Sequence, residues 1–526
     1  MSSDDEGLAT SATSAGSRSL TSAGSRSLLT SAVMGVDSST QSCKVEIRDL
    51  TSGRLLGSGS APHPPAFPPC SEQHPGDWVS AFIAAARQAI ARCEQRPEIK
   101  AISVAAQCHG LVLLDDRGEV LRAAKLWNDT TGAPNLARLV DRIGARRWVM
   151  RIGSLPTAAF TIAKLAWVAE HEPGLLERVG TILLPHDYLT YWLTGEAVTD
   201  RSEASGTGYF DATDGQWITS YLELAAGDRN WAAKLPTVLG PTDCAGTVRP
   251  ERAAELGIGD GVLVGAGGGD QHAAYLGLGL TDGDQYFSIG TSGVVATSSR
   301  GPVFDTTGAV DGVADMTGGY LPLMSTLNAA RVVDRAAVLL GTDLAGISEL
   351  ALAAGPTQGP VLVPFLDGER TPDRPDAHGA FVDITSQTTR EEIARSFVEG
   401  PLLSLLSGRD SLRACGVELG GVATAVGGGA RSPATLQLLA DLLGEEVTVP
   451  DVEEATARGA CIQAAAVASR ADRAGLVDLA KRWTPDARVR VAPRKHGRNL
   501  SALRTRWAKV AESPLIDSPM PEGGPL

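Results

Sequence analysis

The sequence predicts an α/β protein of two related domains facing one cleft. Three observations carry that prediction. Strand-like and helix-like apolar patterns alternate from about residue 33 to about residue 494. Each half opens with a β run, a short hydroxyl-rich turn and a second β run. Glycine clusters sit at the ends of buried strand runs, where backbone must approach something closely.

In chain order, residues 1 to 31 are Ser, Ala, Thr and Gly, and TSAGSRSL occurs twice in succession from Thr13 and Thr21. Such a segment buries too little apolar surface to offset ordering, so disorder is expected. Asp4, Asp5 and Glu6 argue against a transit peptide; a tail, or an over-long start before Met34, is the plainer reading. Val33–Asp37 and Lys44–Asp49 read as β runs around the turn Ser38 to Ser42. Pro75 to Arg96 reads as a helix, with Trp78, Phe82, Ile83, Ala86 and Ile90 on one face. Ala101–Ala106 and Leu111–Asp115 look like strands, Phe160 to His171 and Asp187 to Thr194 like helices. Gly261–Ala266 is a buried-strand run that empties into Gly267-Gly268-Gly269-Asp270.

Thr281-Asp282-Gly283-Asp284 breaks the apolar pattern, and the linker is expected near Leu280 to Asp284. Gln285–Ile289 and Val294–Ser298 then flank Gly290-Thr291-Ser292-Gly293. Helical Arg390–Leu406 and strand Val422–Val426 follow. The strand runs into Gly427-Gly428-Gly429 and a helix punctuated by Ser432, Pro433 and Gly444. Residues 513 to 526 are Pro/Gly-rich and expected to be loose.

Composition narrows the function. Forty-seven Lys and Arg against 61 Asp and Glu give a net charge of −14, which disfavours nucleic acid and acidic membrane surfaces as partners. Hydrophobic residues at 43% with 21% charged fit a globular protein with sizeable cores. Seven cysteines without a CxxC pair fit a reducing cytoplasm, and neither a membrane span nor a secretory signal is read.

The turns carry the chemistry. Asp37 ends a buried strand, and a carboxylate there suits a hydrated Mg²⁺, with hydroxyls, turn N–H groups and Lys44 available to phosphate. A self-satisfied Asx turn explains the same residues. Gly290 to Gly293 suits a phosphate or a plain hairpin. Gly427 to Gly429 before a capped helix suits a nucleotide at a helix N-terminus. There is no GxGxxG with its distal acid and no GxxxxGK[ST], so neither a dinucleotide site nor a P-loop is expected. Asp270, after three glycines, suits a base acting on a hydroxyl in phosphoryl transfer, or a cap for the following helix.

Taken in order, these stretches resemble the FGGY carbohydrate kinases, and within them the xylulose kinases. The resemblance rests on Gln107-Cys108-His109-Gly110, Leu126-Trp127-Asn128-Asp129, Leu184-Pro185-His186-Asp187-Tyr188, Gly267 to Asp270, Ser288 to Gly293, Gly368-Glu369-Arg370-Thr371-Pro372 and Gly427 to Ser432. It runs from about Val33 to the region of Arg494. The implied fold is two actin-like ATPase, ribonuclease H-like domains facing a central cleft. The implied spans are a tail at 1–31, a sugar- and phosphate-side domain at 32–281, a nucleotide-side domain at 282–496, and a C-terminal helix and loose tail at 497–526.

The resemblance also implies roles. Asp270 is the expected catalytic base. Cys108, His109, Trp127, Asp129 and Gln271 are expected at the sugar. Thr40, Lys44, Gly290, Thr291, Ser292, Gly428, Gly429 and Gln437 are expected at ATP and its phosphates, and Asp37 at Mg²⁺. The implied reaction is phosphorylation of D-xylulose by ATP to D-xylulose 5-phosphate, in cytoplasmic pentose and xylose catabolism. Partners are then the sugar and ATP, with no nucleic acid or membrane, and with a homodimer left open. Cys108 and Gln271 stand where xylulose kinases usually have Met and Asn, and Ser38-Ser39 where Leu-Gly or similar is common. Another pentulose or an alditol is therefore the alternative. Glycerol is disfavoured, because no Arg-Glu pair stands at His109-Gly110. A non-catalytic actin-like sensor of sugar or nucleotide is the reading from a different class.

Overall fold

The computed structural model describes residues 30–355, 359–495 and 499–517 of the 526. Two sheets dominate, and both are wound alike. In the first, Ser31–Ser38 pairs antiparallel with Ser42–Asp49, which pairs antiparallel with Leu55–Pro62. On its other side Ser31–Ser38 lies parallel to Glu98–Ala106, and that strand lies parallel to Leu263–Gly265. The second sheet repeats this with Gln285–Ile289 at the centre. Gly293–Ala296 and Leu323–Thr326 lie antiparallel on one side, Ala423–Val426 and Val447–Pro450 parallel on the other. Each sheet closes on an antiparallel edge strand, Cys244–Thr247 in the first and Ala487–Val491 in the second. The central strands are buried on both faces, which explains their nearly unbroken apolar runs.

The expected elements are present with shifted ends. The first strand starts at Ser31, inside the span assigned to the tail; residues 1–29 of that tail lie outside the described residues. The helix from Pro75 ends at Ala91, short of the expected Arg96, in a turn leading towards Pro97. The helix expected to stop at Leu406 runs from Arg390 to Ala414 through Pro401. Its apolar face continues into the core through Leu412, and this burial outweighs the local cost of the proline. Residues 513 to 526 were expected to be loose. Pro514–Asp517 instead forms a 3₁₀ turn that buries Ile516, because that side chain reaches the core of the second half; residues 518–526 lie outside the described residues.

Helix Ala455–Ala468 belongs in sequence to the second half but packs on the first sheet. Ala460, Cys461, Ile462 and Ala464 share a core with Val33, Ala101, Ala105, Ala273 and Leu276. Small residues permit this closeness: a Cβ on Gly35 would lie 2.0 Å from the Ala457 carbonyl oxygen. Buried Gln463 completes the contact. Its Oε1 accepts the Ser103 hydroxyl at 2.5 Å and the Gly267 N–H at 2.9 Å, and its Nε2 donates to the Gly267 carbonyl at 3.1 Å. The glycine turn before Asp270 is thus clamped from the other half of the chain. Among the described residues no single helix is long and apolar enough to cross a membrane.

Candidate active site

Asp270 stands where the first sheet meets that turn. After Leu263–Gly265 the chain bends at Gly267, whose φ of +85° suits glycine, and Gly268–Gly269 pairs with the end of Glu98–Ala106. Asp270 then opens helix Asp270–Gly277. One carboxylate oxygen accepts the Gln271 N–H at 2.7 Å and the Cys108 thiol at 3.4 Å. Burial pushes the carboxyl above the usual range, and these hydrogen bonds hold it back in part. Asp270 is the first residue of that helix, Gly269 is its N-cap and no side chain caps it, so the expected capping role is not observed.

Asp37 ends the central strand of the same sheet and lies across from Ala105 and Lys44. Its carboxylate accepts the Ser39 hydroxyl at 2.5 Å. Burial pushes the carboxyl up to about 7, and the Asp270 charge adds to that rise. Two carboxylates from different strand ends therefore sense one another. Lys44 faces across the cleft and pairs with Glu454 at 2.7 Å. The Thr40 hydroxyl donates to Gln107 Oε1 at 3.2 Å and accepts from Trp127 Nε1 at 2.9 Å, tying the hydroxyl turn to the expected sugar wall.

That wall is built on strained backbone. His109 has φ of +63°, a conformation uncommon for a residue with a side chain, and its N–H donates to Glu203 Oε2 at 3.0 Å. Its carbonyl accepts the Thr161 hydroxyl at 3.0 Å, and its ring stacks on Phe160 at 5.1 Å. Burial, with Lys164, His272 and Arg370 nearby, pushes the ring down to about 3, so His109 is neutral at working pH. Gln271 reaches the second half, where the Tyr286 hydroxyl donates to its Oε1 at 3.4 Å.

The second sheet supplies the facing wall. The carbonyls of Gly290 and Thr291 accept the N–H groups of Ala330 and Ala329 at 2.8 and 3.1 Å, while the Thr291 and Ser292 side chains are exposed. Strand Ala423–Val426 leads into a cleft of about 1070 Å³ lined by Gly428, Pro433, Gln437, Glu454 and Arg494, among others. A Cβ on Gly428 would meet nothing within 4 Å, so backbone there is open to a ligand. Gly429 instead lies against Ile289, with a Cβ placed 2.4 Å from Cγ2. The Gln437 amide nitrogen donates to Asp441 and to the Ala492 carbonyl, each at 3.0 Å.

Asp129 is not brought to this cleft. One oxygen takes the Ser71 N–H and Lys125 Nζ, each at 3.0 Å; the other takes the Thr131 N–H at 3.0 Å and its hydroxyl at 2.5 Å. The carboxylate is wholly buried and spent on its own loop and on the Ser71 N–H from a distant segment. The structure adds residues that sequence reasoning passed over: Glu203 behind His109, His272 beside Cys108, Glu454 on Lys44, and Gln463. Only Glu203 carried a signal, as a lone acid in the small-residue run Ser202 to Gly208.

Known proteins resemble this chain over most of its length. Residues 32–277 match the N-terminal domain of the FGGY family of carbohydrate kinases, and residues 285–468 its C-terminal domain. A xylulose kinase of Streptomyces coelicolor is 41% identical over 458 residues, covering 86% of this chain and 91% of that protein. One from Escherichia coli is 35% identical, covering 79% and 85%. The crystal structure of xylulose kinase from Bifidobacterium adolescentis superposes with a TM-score of 0.81 at 38% identity, covering 92% of this chain and 99% of that one. The twin sheets are the two actin-like ATPase domains expected from the sequence. The chain belongs to the FGGY family of carbohydrate kinases and is an ATP-dependent kinase.

Proposed function

We propose that the chain transfers the γ-phosphoryl group of ATP to D-xylulose, giving D-xylulose 5-phosphate and ADP. The observation that carries this reading is the meeting of Asp270, Asp37, Cys108 and His109 at the end of the first sheet, opposite the exposed turn Gly290 to Ser292. The relatives above, named as xylulose kinases over most of their length, support the choice of sugar.

Asp270 accepts the proton of the attacking sugar hydroxyl, and its raised proton affinity suits that task. Neutral His109 meets a sugar hydroxyl without adding charge, its orientation fixed by Phe160 and Glu203. Thr291 and Ser292 hydroxyls and the turn backbone donate to the transferring phosphoryl, where charge builds. Gly428 lets the nucleotide lie against backbone, with Gln437 in the same wall.

Asp37, the Ser39 hydroxyl and the nearby Asp270 form a hard-oxygen set whose mutual repulsion a divalent cation relieves, so these residues fit Mg²⁺. When bound there, the ion neutralises phosphate charge. Lys44 is positioned to exchange Glu454 for a phosphate oxygen. We further propose a cytoplasmic location, for which the seven unpaired cysteines speak.

The test is ADP release against a panel of pentuloses, hexuloses and polyols, repeated with Asp270→Asn. D-xylulose should give the highest kcat/KM. The variant should lose roughly 10²–10⁴ in kcat while sugar and ATP affinities change only a few-fold. A variant kcat within a few-fold of wild type would remove Asp270 from the chemistry.

A further inference from the structure

Beside Asp270 lies a cluster whose metal-ligating chemistry the phosphoryl-transfer reading does not use. Cys108 follows strand Glu98–Ala106, Glu203 lies in helix Arg201–Ala204, and His272 lies in helix Asp270–Gly277. One donor atom from each lies within 4.8 Å of the other two. All three also crowd the α-carbon of Gly269: a Cβ built there would be 2.6 Å from His272 Nδ1, 2.8 Å from Cys108 Sγ and 2.8 Å from Glu203 Oε1, so an ion shared by them must lie on the side away from this glycine.

The donors are also short of partners. Glu203 and His272 are buried. Neither ring nitrogen of His272 makes a hydrogen bond among the described residues, and Glu203 Oε1 has only the Cys108 thiol beside it. Buried polar atoms are nearly always satisfied, and leaving several unmade in one spot is costly. Cys108 is partly exposed, so the cluster opens on the cleft.

We propose that Cys108, Glu203 and His272 bind one thiophilic divalent cation of the Zn²⁺ class, and that its binding blocks the kinase. Sulfur, imidazole and carboxylate together suit Zn²⁺ and not Mg²⁺, which prefers oxygen alone. Tetrahedral bonds of about 2.0–2.3 Å place ligand atoms roughly 3.5 Å apart, so the donors, within 4.8 Å of one another here, would close by up to about 1.3 Å. On binding, the Cys108 thiol gives its proton to solvent and the sulfur–metal bond replaces the sulfur–hydrogen bond. Asp270, whose carboxylate is 3.4 Å from the same sulfur, is within reach of the fourth position and is then lost as a base. The inhibitory half rests on the kinase reading above; the binding half does not.

The experiment adds one equivalent of Co²⁺ to the full-length protein and records its absorption. A thiolate-to-cobalt charge-transfer band with strong tetrahedral visible bands is expected, displaced by Zn²⁺. The bands should vanish in Cys108→Ser and in His272→Asn, each checked by circular dichroism. They should persist in Cys70→Ser, which removes the exposed cysteine of the other Cys-acid cluster, with Glu72 and Asp129. In parallel, Zn²⁺ should inhibit ADP formation at saturating Mg²⁺ and ATP, and His272→Asn should raise the inhibitory concentration at least about tenfold. No band in the wild type, or a band that survives Cys108→Ser, overturns the site. A band without inhibition overturns the blocking role. A chain inactive on every sugar would sink the kinase reading, yet the absorption would still decide the metal site.

Discussion

Replacing Asp37 by Asn should make the ligand-free protein more stable, and increasingly so as pH rises. The carboxyl has a proton affinity of about 7 in the fold against an ordinary value of 3.8, because burial disfavours its charge and Asp270 adds repulsion. The native state therefore holds this proton more tightly than the unfolded chain. Stability falls as pH climbs from about 4 through about 7, then levels off. One pKa unit corresponds to about 1.4 kcal/mol. Between about pH 5 and about pH 8 the buried carboxylate thus costs roughly 2–3 kcal/mol, a cost that the neutral amide avoids. Denaturant melts of wild type and Asp37→Asn at both pH values, at one ionic strength, measure it. The stability advantage of the variant should widen by that amount, while kinase activity collapses because a cation site is lost. An advantage equal at both pH values would refute the reasoning, since Asp37 would then ionise near its ordinary value. Adding Asp270→Asn should shrink the effect, because the neighbouring charge is gone.

Other outcomes follow from the same geometry. A Cβ on Gly459 would sit 1.9 Å from the Ala273 carbonyl oxygen. Gly459→Ala should therefore push the Asp270 helix away by about 1.5 Å, destabilise by roughly 1–3 kcal/mol and lower kcat on the order of 10²-fold, read by steady-state kinetics and melting. His109→Ala should raise the sugar KM by about 2–10-fold with the ATP KM unmoved; the reverse pattern would place His109 outside the sugar pocket. Asp129→Ala removes the fully buried partner of Lys125 and leaves it Glu72 at 3.2 Å and the Thr131 hydroxyl at 2.8 Å. It should cost about 3 kcal/mol in thermal unfolding and leave the sugar KM of the remaining folded enzyme near wild type.

The sequence by itself determined which segments become strands and helices, though several ends shifted by a few residues. Those properties are local. Apolar periodicity marked the strand through Asp37 and the helix from Pro75, and Ser432, Pro433 and Gly444 cap their helix as their residue types require. The ordered motifs then singled out Asp37, Asp270 and Gly428 as candidates for a kinase cleft.

Only the tertiary structure decided what each polar side chain does with its hydrogen bonds. Asp129 and Asp270 are both carboxylates in motif-like stretches. One is consumed by Ser71, Lys125 and Thr131, whereas the other keeps an open side beside Cys108. Glu203 and His272 carried no motif, because their importance comes from elements distant in sequence meeting at Gly269. Helix Ala455–Ala468 reads as an ordinary apolar helix, yet Gln463 reaches back almost 200 residues to fix the glycine turn behind Asp270. Periodicity records which face of an element is buried, but not against which partner. That choice depends on close packing across the whole chain, as where helix Ala455–Ala468 of the second half settles on the first sheet.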